Sequence, residues 1–296
     1  MISKLLERYQ GKYVFLIDFL WYCYKSYYVH EDFENGNGVK TGHLYGMSNL
    51  VQRILTIAPD ALIIMCEDYG AKERKELNEN YKANRKENIF TDIWDYAHDL
   101  YSDFPNIQFA YNEGYEADDM MFSISRIKDY NNHFIIISGD NDLMQALDDT
   151  TMIARKVTYK GLQNIITPNS DYYKDKFQDL PPEKIPIYRA IIGDKSDNLR
   201  PIKNRFPKKV AYYYAKNYPM LDPSIFNPKE AQYLSSINES ELYKSNLKIM
   251  KLVPIEIMIQ MKNKGRTMWT IDELQLYQFK KWATQYLKER WGRWIK

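Results

Sequence analysis

The stretch YEADDM, Tyr115 to Met120, sets Glu116, Asp118 and Asp119 within four positions. Carboxylates about 4–6 Å apart raise one another's pKa and repel, so such a cluster needs water, a helix dipole or a cation to compensate it. Further acids stand at the ends of apolar runs. Asp18 closes YVFLID, Asp68 follows ALIIMCE, and Asp140 and Asp142 fall in SGDND. Asp194 and Asp197 lie three positions apart in GDKSDN, sharing a face if that segment is helical, although acid-rich loops with Gly and Asn are also common turns. An exposed acid in a first helical turn gains about 0.3–1 kcal/mol from the dipole, which accounts for one cluster and not for acids after several strands. A hard divalent cation accounts for them together, because Mg²⁺ or Mn²⁺ takes carboxylate oxygens while keeping waters. With the segment from Glu116 onward helical throughout, Glu116 and Asp119 stand about 60° apart on the wheel and converge. Asp118, about 100° from Asp119, then reaches a metal through water.

These acids need elements to hold them. Apolar runs of strand length recur at 13–18, 61–67, 107–111, 134–140 and 151–157, continuous rather than alternating. That is the pattern of strands buried on both faces of a largely parallel sheet. Between them lie the helix-like stretches TGHLYGMSNLVQRILTI, IFTDIWDYAHDLYSDF and EADDMMFSISRIKDY. The alternation predicts an α/β fold with helices on both faces, in which ligands gather outside the carboxyl ends of the strands. After QDLPPEKIP, at 178–186, the strand pattern stops and the remainder reads as helical, Tyr- and Lys-rich, with no glycine between Gly193 and Gly265. A transition near residue 180 is expected.

The chain has 296 residues, 45% hydrophobic and 27% charged, enough for one large core or two unequal domains. Apolar runs fall short of the ~18–20 residues that span a bilayer, and the N-terminal stretch does not read as a signal peptide, so a cytoplasmic location without membrane contact is expected. The only cysteines, Cys23 and Cys66, read as reduced core thiols, and the four histidines lack zinc-ligand spacing. Net charge is only +2, yet cations cluster: residues 71–86 hold six basic and three acidic side chains, 195–209 six and one, and 280–296 six and one. Each run alone fits a solvated face; three of them beside clustered acids point to a polyanion partner.

In order, FLIDF, TGHLYGMSNLVQRIL, CEDYGAKERKELNENYKANR, GYEADDM, ISGDNDLMQAL and IIGDKSDN resemble the blocks of the 5′-nucleases. That family comprises flap endonucleases, phage 5′→3′ exonucleases, ribonuclease H-type primer-removing enzymes and the N-terminal nuclease domain of bacterial DNA polymerase I. The resemblance implies a nuclease domain over 1–180, with an arch or clamp at about 69–90, and a helical duplex-binding domain over 181–296. It implies two metal clusters, with Mg²⁺ as the ion and Mn²⁺ as its substitute. Asp18, Asp68, Glu116, Asp118 and Asp119 supply the first, and Asp140 and Asp142 lie between it and a second that includes Asp194 and Asp197. Lys82 and Arg85 are expected on the scissile phosphate, aligned with Lys86 on one basic helical face, with Lys25 as a further basic position. Arg74, Lys75 and Tyr81 are expected to guide the strand.

The departure is LRPIKNRFPKKVAYYYA, where the family carries a glycine-containing helix–hairpin–helix near 194–216 that often holds K⁺. Asn204 is the candidate for a left-handed turn. Lys203, Arg205, Lys208 and Lys209 supply charge for duplex binding, and K⁺ is left open. The activity implied is hydrolysis of phosphodiesters at a 5′ end, flap or RNA primer in replication or repair, on DNA or an RNA–DNA hybrid. The enzyme is expected to work as a monomer, alongside replication proteins, with two ions about 3.5–4 Å apart. Two alternatives compete. A haloacid dehalogenase-type phosphatase needs an Asp-x-Asp after the first strand, where this chain has IDFLW; a non-catalytic binding protein would have decayed metal sites.

Overall fold

The structure is a computed structural model that describes residues 2–34, 40–84, 97, 101 and 104–260. The helix expected over 89–104 falls almost wholly outside these residues, as do Arg85, Lys86 and the basic run 280–296.

The chain opens with α1 (Ile2–Arg8), β1 (Tyr13–Asp18), α2 (Phe19–Val29), α3 (Gly42–Ile57), β2 (Leu62–Cys66) and α4 (Lys72–Leu77). It continues through β3 (Ile107–Tyr111), α5 (Ala117–Ser125), β4 (His133–Ile137), β5 (Thr151–Thr158) and β6 (Gly161–Ile166). Helices α6 (Asp171–Phe177), α7 (Ile185–Ile192), α8 (Lys208–Asn217), α9 (Pro228–Asn238) and α10 (Glu241–Met250) follow, and β7 (Met258–Gln260) returns to the sheet. The sheet order is β6-β5-β4-β1-β2-β3-β7. Strands β1 to β5 are parallel; β6 and β7 pair antiparallel at the two edges. Neither edge strand is expected from the sequence. GLQNII has three exposed residues and no buried face to read, and MIQ is too short to carry a period.

The continuous apolar runs serve both faces. Val14 and Leu16 of β1 join Leu62, Ile64, Phe134 and Ile136 in one core, under α1 and α5. Phe15 and Ile17 join Ile63, Met65, Ile135 and Ile137 in the other, under α2 and α3. Cys23 and Cys66 are both buried and free, as expected. The core shows no break near residue 180, for the cluster that holds Val14 also holds Tyr214 of α8 and Ile237 of α9.

The order places the switch point at β1, since β2 and β3 lie on one side of it and β4 and β5 on the other. A crevice outside the carboxyl ends of β1, β2 and β4 is therefore where a ligand fits. The register puts Asp18 beside Cys66 of β2, one residue beyond the Ile17–Ile137 pair with β4. Strand β4 ends at Ile137 rather than at Asp140, so Ser138, Gly139 and Asp140 peel away from the sheet. Gly139 permits the turn a close neighbour: a Cβ there would sit 2.5 Å from the Trp21 ring.

Candidate active site

A cavity of about 400 Å³ opens at this switch point, lined by Asp18, Asp68, Glu116, Asp118 and Asp140, with Lys82, Arg189, Trp21 and Tyr24 on its other walls. Asp18 ends β1 and caps α2, its Oδ1 accepting the Trp21 N–H at 3.3 Å while Ser138 Oγ donates to its Oδ2 at 2.7 Å. The peeled turn continues the chain of contacts, since the Asp140 N–H donates to Ser138 Oγ at 3.0 Å and the Asp142 N–H to Asp140 Oδ1 at 2.8 Å. Asp68 accepts the first helical N–H of α5, from Ala117, at 2.9 Å. Burial above all, then the charges of Asp68 and Asp140, pushes the Asp18 carboxyl up to about 8. Burial raises Asp68 to about 6, opposed by the Ala117 hydrogen bond.

The three acids of YEADDM separate by position. Glu116 is not helical: at φ −96°, ψ 163° it is the N-cap of α5, so the helical-wheel alignment with Asp119 does not arise. Instead Asp119 closes a capping box, accepting the Glu116 N–H at 3.0 Å, and accepts Arg74 Nη2 at 2.6 Å. It is 4% exposed and does not line the cavity, whereas Asp118 does. Burial and the neighbouring Asp118 charge lift Asp119 to about 7. For Asp118 burial works upward too, yet the cations Arg74 and Lys82 hold its carboxyl below the usual range.

Arg74 and Tyr81, expected to guide a strand, are inside. Arg74 is 9% exposed; its guanidinium pairs with Glu116, Asp118 and Asp119 and donates to the Ile249 carbonyl at 3.1 Å. Tyr81 is 4% exposed and donates its hydroxyl to Glu116 Oε2 at 2.8 Å. The reason lies in α4, which places Arg74 on its buried side and is stopped by the Asn78 turn, Asn78 Oδ1 accepting the Asn80 N–H at 3.0 Å. Lys82 reaches the cavity and pairs with Glu116, but from a turn with φ +54° rather than from a helix. Lys25 points elsewhere: its ammonium donates to the Arg155 carbonyl, lies 4.8 Å from the Trp21 ring centroid and does not line the cavity. Lys75 is exposed on α4.

Asp142, Asp194 and Asp197 form a second group, with one ligand atom of each within 4.8 Å of the others. GDKSDN is a tight turn rather than a helix: Asp194 and Leu199 exchange backbone hydrogen bonds at 2.9 and 2.7 Å, and Ser196 N–H and Oγ donate to Asp194 Oδ1 at 2.8 and 2.6 Å. Like charges at such separations repel by about 3 kcal/mol for an effective dielectric constant of ~20. Arg189, from the last turn of α7, pairs with Asp142 and with Asp194. Its guanidinium nitrogens face Asp142 Oδ1 and Asp194 Oδ2, oxygens for which there is no other hydrogen-bond donor among the described residues. Burial first and then the Asp140 charge push Asp142 well above the carboxylate range, with Arg189 opposing.

Sequence reading missed Arg189, Ser138 and Trp21. Arg189 carried a signal, as the single charge in the otherwise apolar IPIYRAII, since a charge on a buried helix requires a partner. Lys203 and Arg205, between α7 and α8, and Lys208 and Lys209, in the first turn of α8, are all exposed. The left-handed residues there are Asn198 and Arg205, both at φ +58°, and not Asn204.

A doubly wound sheet whose switch point holds an acidic cavity with basic side chains set into it defines the class, an α/β fold with a carboxylate-rich candidate metal site. The particular family follows from the sequence itself. Residues 13–178 match the family model described as 5′-3′ exonuclease, N-terminal resolvase-like domain. The 5′-3′ exonuclease of Mycoplasmopsis pulmonis is 32% identical over 224 residues, 75% of this chain and 71% of that protein. The chain belongs to the 5′-3′ exonuclease family. DNA polymerase I of Caldicellulosiruptor bescii is 30% identical over 188 residues, 61% of this chain but only 21% of the polymerase's length. In fold the chain is similar to the flap endonuclease of bacteriophage T5, solved with DNA and metal ions (TM-score 0.58, 17% identity, 81% of this chain and 89% of that one). The phosphatase alternative falls: Leu20 lines the cavity where a second Asp would be required.

Proposed function

We propose that this chain hydrolyses phosphodiesters at the 5′ end or flap of DNA, including RNA-primed strands, in replication and repair. The observation that carries the reading is the single cavity at the switch point that gathers Asp18, Asp68, Glu116, Asp118 and Asp140, joined through Asp140 to the Asp142–Asp194–Asp197 group. The donor set is all carboxylate oxygen, and one ligand atom of each of Asp142, Asp194 and Asp197 lies within 4.8 Å of the others, an arrangement that suits a hard cation, so Mg²⁺, with Mn²⁺ as substitute, fits both groups. Asp18, Asp68, Asp118 and Asp140 would hold the first ion, with Glu116 beside them; Asp142, Asp194 and Asp197 would hold the second. When bound, such ions acidify water to make a nucleophile and neutralise charge on the phosphate and the leaving 3′-oxygen.

The chain's own side chains bind and orient. Lys82, already in the cavity, offsets negative charge as it develops on the phosphate. Arg74 and Tyr81 fix Glu116 from behind rather than touching the strand. Asp119 holds the start of α5, and with it Asp118, in place. Lys203, Arg205, Lys208 and Lys209 present exposed charge to duplex phosphates, so 181–296 acts as the duplex-binding part and 1–180 as the nuclease part. K⁺ is not part of the proposal. The enzyme acts as a monomer in the cytoplasm, and among the described residues no helix is long and apolar enough to cross a membrane.

The test is cleavage of labelled 5′-flap, nicked and RNA-primed duplexes with Mg²⁺ or with EDTA, by the native chain and by Asp140→Asn. Cleavage is expected only with metal and to fall by at least a hundredfold in the variant. Metal-independent cutting, or full activity of the variant, overturns the reading, while tight binding with no cutting under any condition would mark a non-catalytic protein.

A further inference from the structure

Arg189 occupies the ground that a second cation would need. It pairs with Asp142, which follows β4, and with Asp194, which follows α7, so one guanidinium spans two of the three carboxylates of the second group. Its place is tightly built. The Arg189 carbonyl accepts the Gly193 N–H at 2.8 Å, ending α7. Gly193, at φ +73°, turns the chain so closely that a Cβ would lie 2.5 Å from Pro201 N and 2.6 Å from Leu199 O. That turn brings Asp194 back over the end of α7 onto the Arg189 side chain. The helix C-terminus favours a cation there as well. The two pairs engage Asp142 Oδ1 and Asp194 Oδ2, one oxygen of each carboxylate.

We propose that Arg189 is a built-in counter-ion of the second carboxylate group, which a divalent ion must displace and which a substrate phosphate then receives. This rests on the proposed two-metal function. Without ions the guanidinium keeps three crowded carboxylates together. An ion arriving at Asp142, Asp194 and Asp197 competes for the same oxygens and leaves a positive charge, its side chain only 14% exposed, without its partners, so loading is weak while that charge has no other anion. Arg189 also lines the catalytic cavity, beside Asp18, Asp68 and Lys82, where the scissile phosphate would sit. A phosphate there gives the displaced guanidinium a new partner, and planar N–H pairs suit phosphate as well as carboxylate. Substrate and second ion therefore bind cooperatively, and linkage requires each to tighten the other by the same factor. The first group is neutralised differently, by Arg74 from behind and by Lys82 at Glu116, whereas at the second group Arg189 spans Asp142 and Asp194. Arg189 acts here as a positioning residue for charge, and its effect is on ion loading rather than on the bond that breaks.

The experiment counts Mn²⁺ bound to the full chain by electron paramagnetic resonance, in the native protein, Arg189→Met and Arg189→Lys. Each is titrated alone and with a 5′-flap duplex carrying phosphorothioate linkages around the cut point. The native chain should bind one ion tightly and a second at least tenfold more weakly, the second tightening at least tenfold with the duplex. In Arg189→Met the second ion should bind at least tenfold more tightly without DNA, and the duplex should no longer change it. Arg189→Lys, a point charge that cannot span both carboxylates, should lie between. Should Arg189→Met fail to fold without metal, as judged by circular dichroism, the lysine variant decides. Equal second-site affinities in the native and lysine proteins, or in all three, overturn the proposal. A native chain that binds no Mn²⁺ at all instead overturns the two-metal function.

Discussion

Two neighbouring carboxylates, Asp118 and Asp119, carry different tasks although they share a type and a cluster. Asp118 faces the cavity, while Asp119 spends one oxygen on the Glu116 N–H and the other on Arg74. Asp118→Asn should reduce cleavage by at least tenfold and cost less stability than Asp119→Asn, because it gives up a 3.3 Å contact with Arg74 but no helix cap. Asp119→Asn should lower stability by about 1–3 kcal/mol, because it weakens a helix cap and leaves part of a buried guanidinium without its charge partner. Thermal melts and initial rates on one flap substrate separate the two. Equal loss of stability in both variants would show that the capping box does not set Asp119 apart.

At the scale of elements, the pairing of α2 with α3 sets a pH limit on the fold. His43, at the start of α3 and 6.1 Å from the Tyr27 ring of α2, is held by burial down to about 4. The unfolded chain takes up the proton near pH 6.5, whereas the folded chain refuses it until about pH 4. Protons thus favour unfolding across that window: the stability is whole above pH 6.5 and is lost as pH falls towards 4. The loss should reach about 2 kcal/mol, reduced from the full linkage value because the ring keeps some contact with solvent. Urea unfolding at pH 7 and pH 5 should show this loss in the native chain and not in His43→Gln. The same scale explains why element prediction succeeded unevenly. Buried strands β1 and β2 announce themselves through unbroken apolar runs, but β7 exists only because Phe109, Ala110 and Tyr111 offer a free edge to three late residues.

Across the whole molecule, charge is divided between an acidic cavity and exposed basic surfaces. Lys203, Arg205, Lys208 and Lys209 stand out after the second acid group, away from the internal pairs that bind Arg74 and Arg189. Binding of a duplex should therefore weaken steeply with salt, each phosphate contact contributing about −0.9 to the slope of log affinity against log salt. Replacing Lys208 and Lys209 together by Gln should reduce that slope by about 2 and leave bound Mn²⁺ unchanged. A salt-independent affinity, or altered ion binding, would place the duplex elsewhere.

Much of this was written in the residue order. Continuous strands ending in Asp18 and reaching Asp68 and Asp140 are a local pattern, because strand burial and strand ends depend on near neighbours in the chain. The clusters of acids and the parallel sheet could be read that way, while the nuclease class came from the resemblance of six ordered blocks to a known family. What required the tertiary structure was every assignment that depends on a partner distant in sequence. Arg74 looks like a surface cation until α5, 42 residues on, folds its carboxylates against it. GDKSDN looks like a plain turn until Gly193 and the Asp194–Leu199 bridge bring it to Asp142. With Glu116 as N-cap and Asp119 closing the capping box on it, Asp118 and not Asp119 lines the cavity. The chain states which charges it carries; only the fold decides which are neutralised internally and which are left for a ligand, because burial and pairing energies are fixed by contacts between segments far apart in sequence.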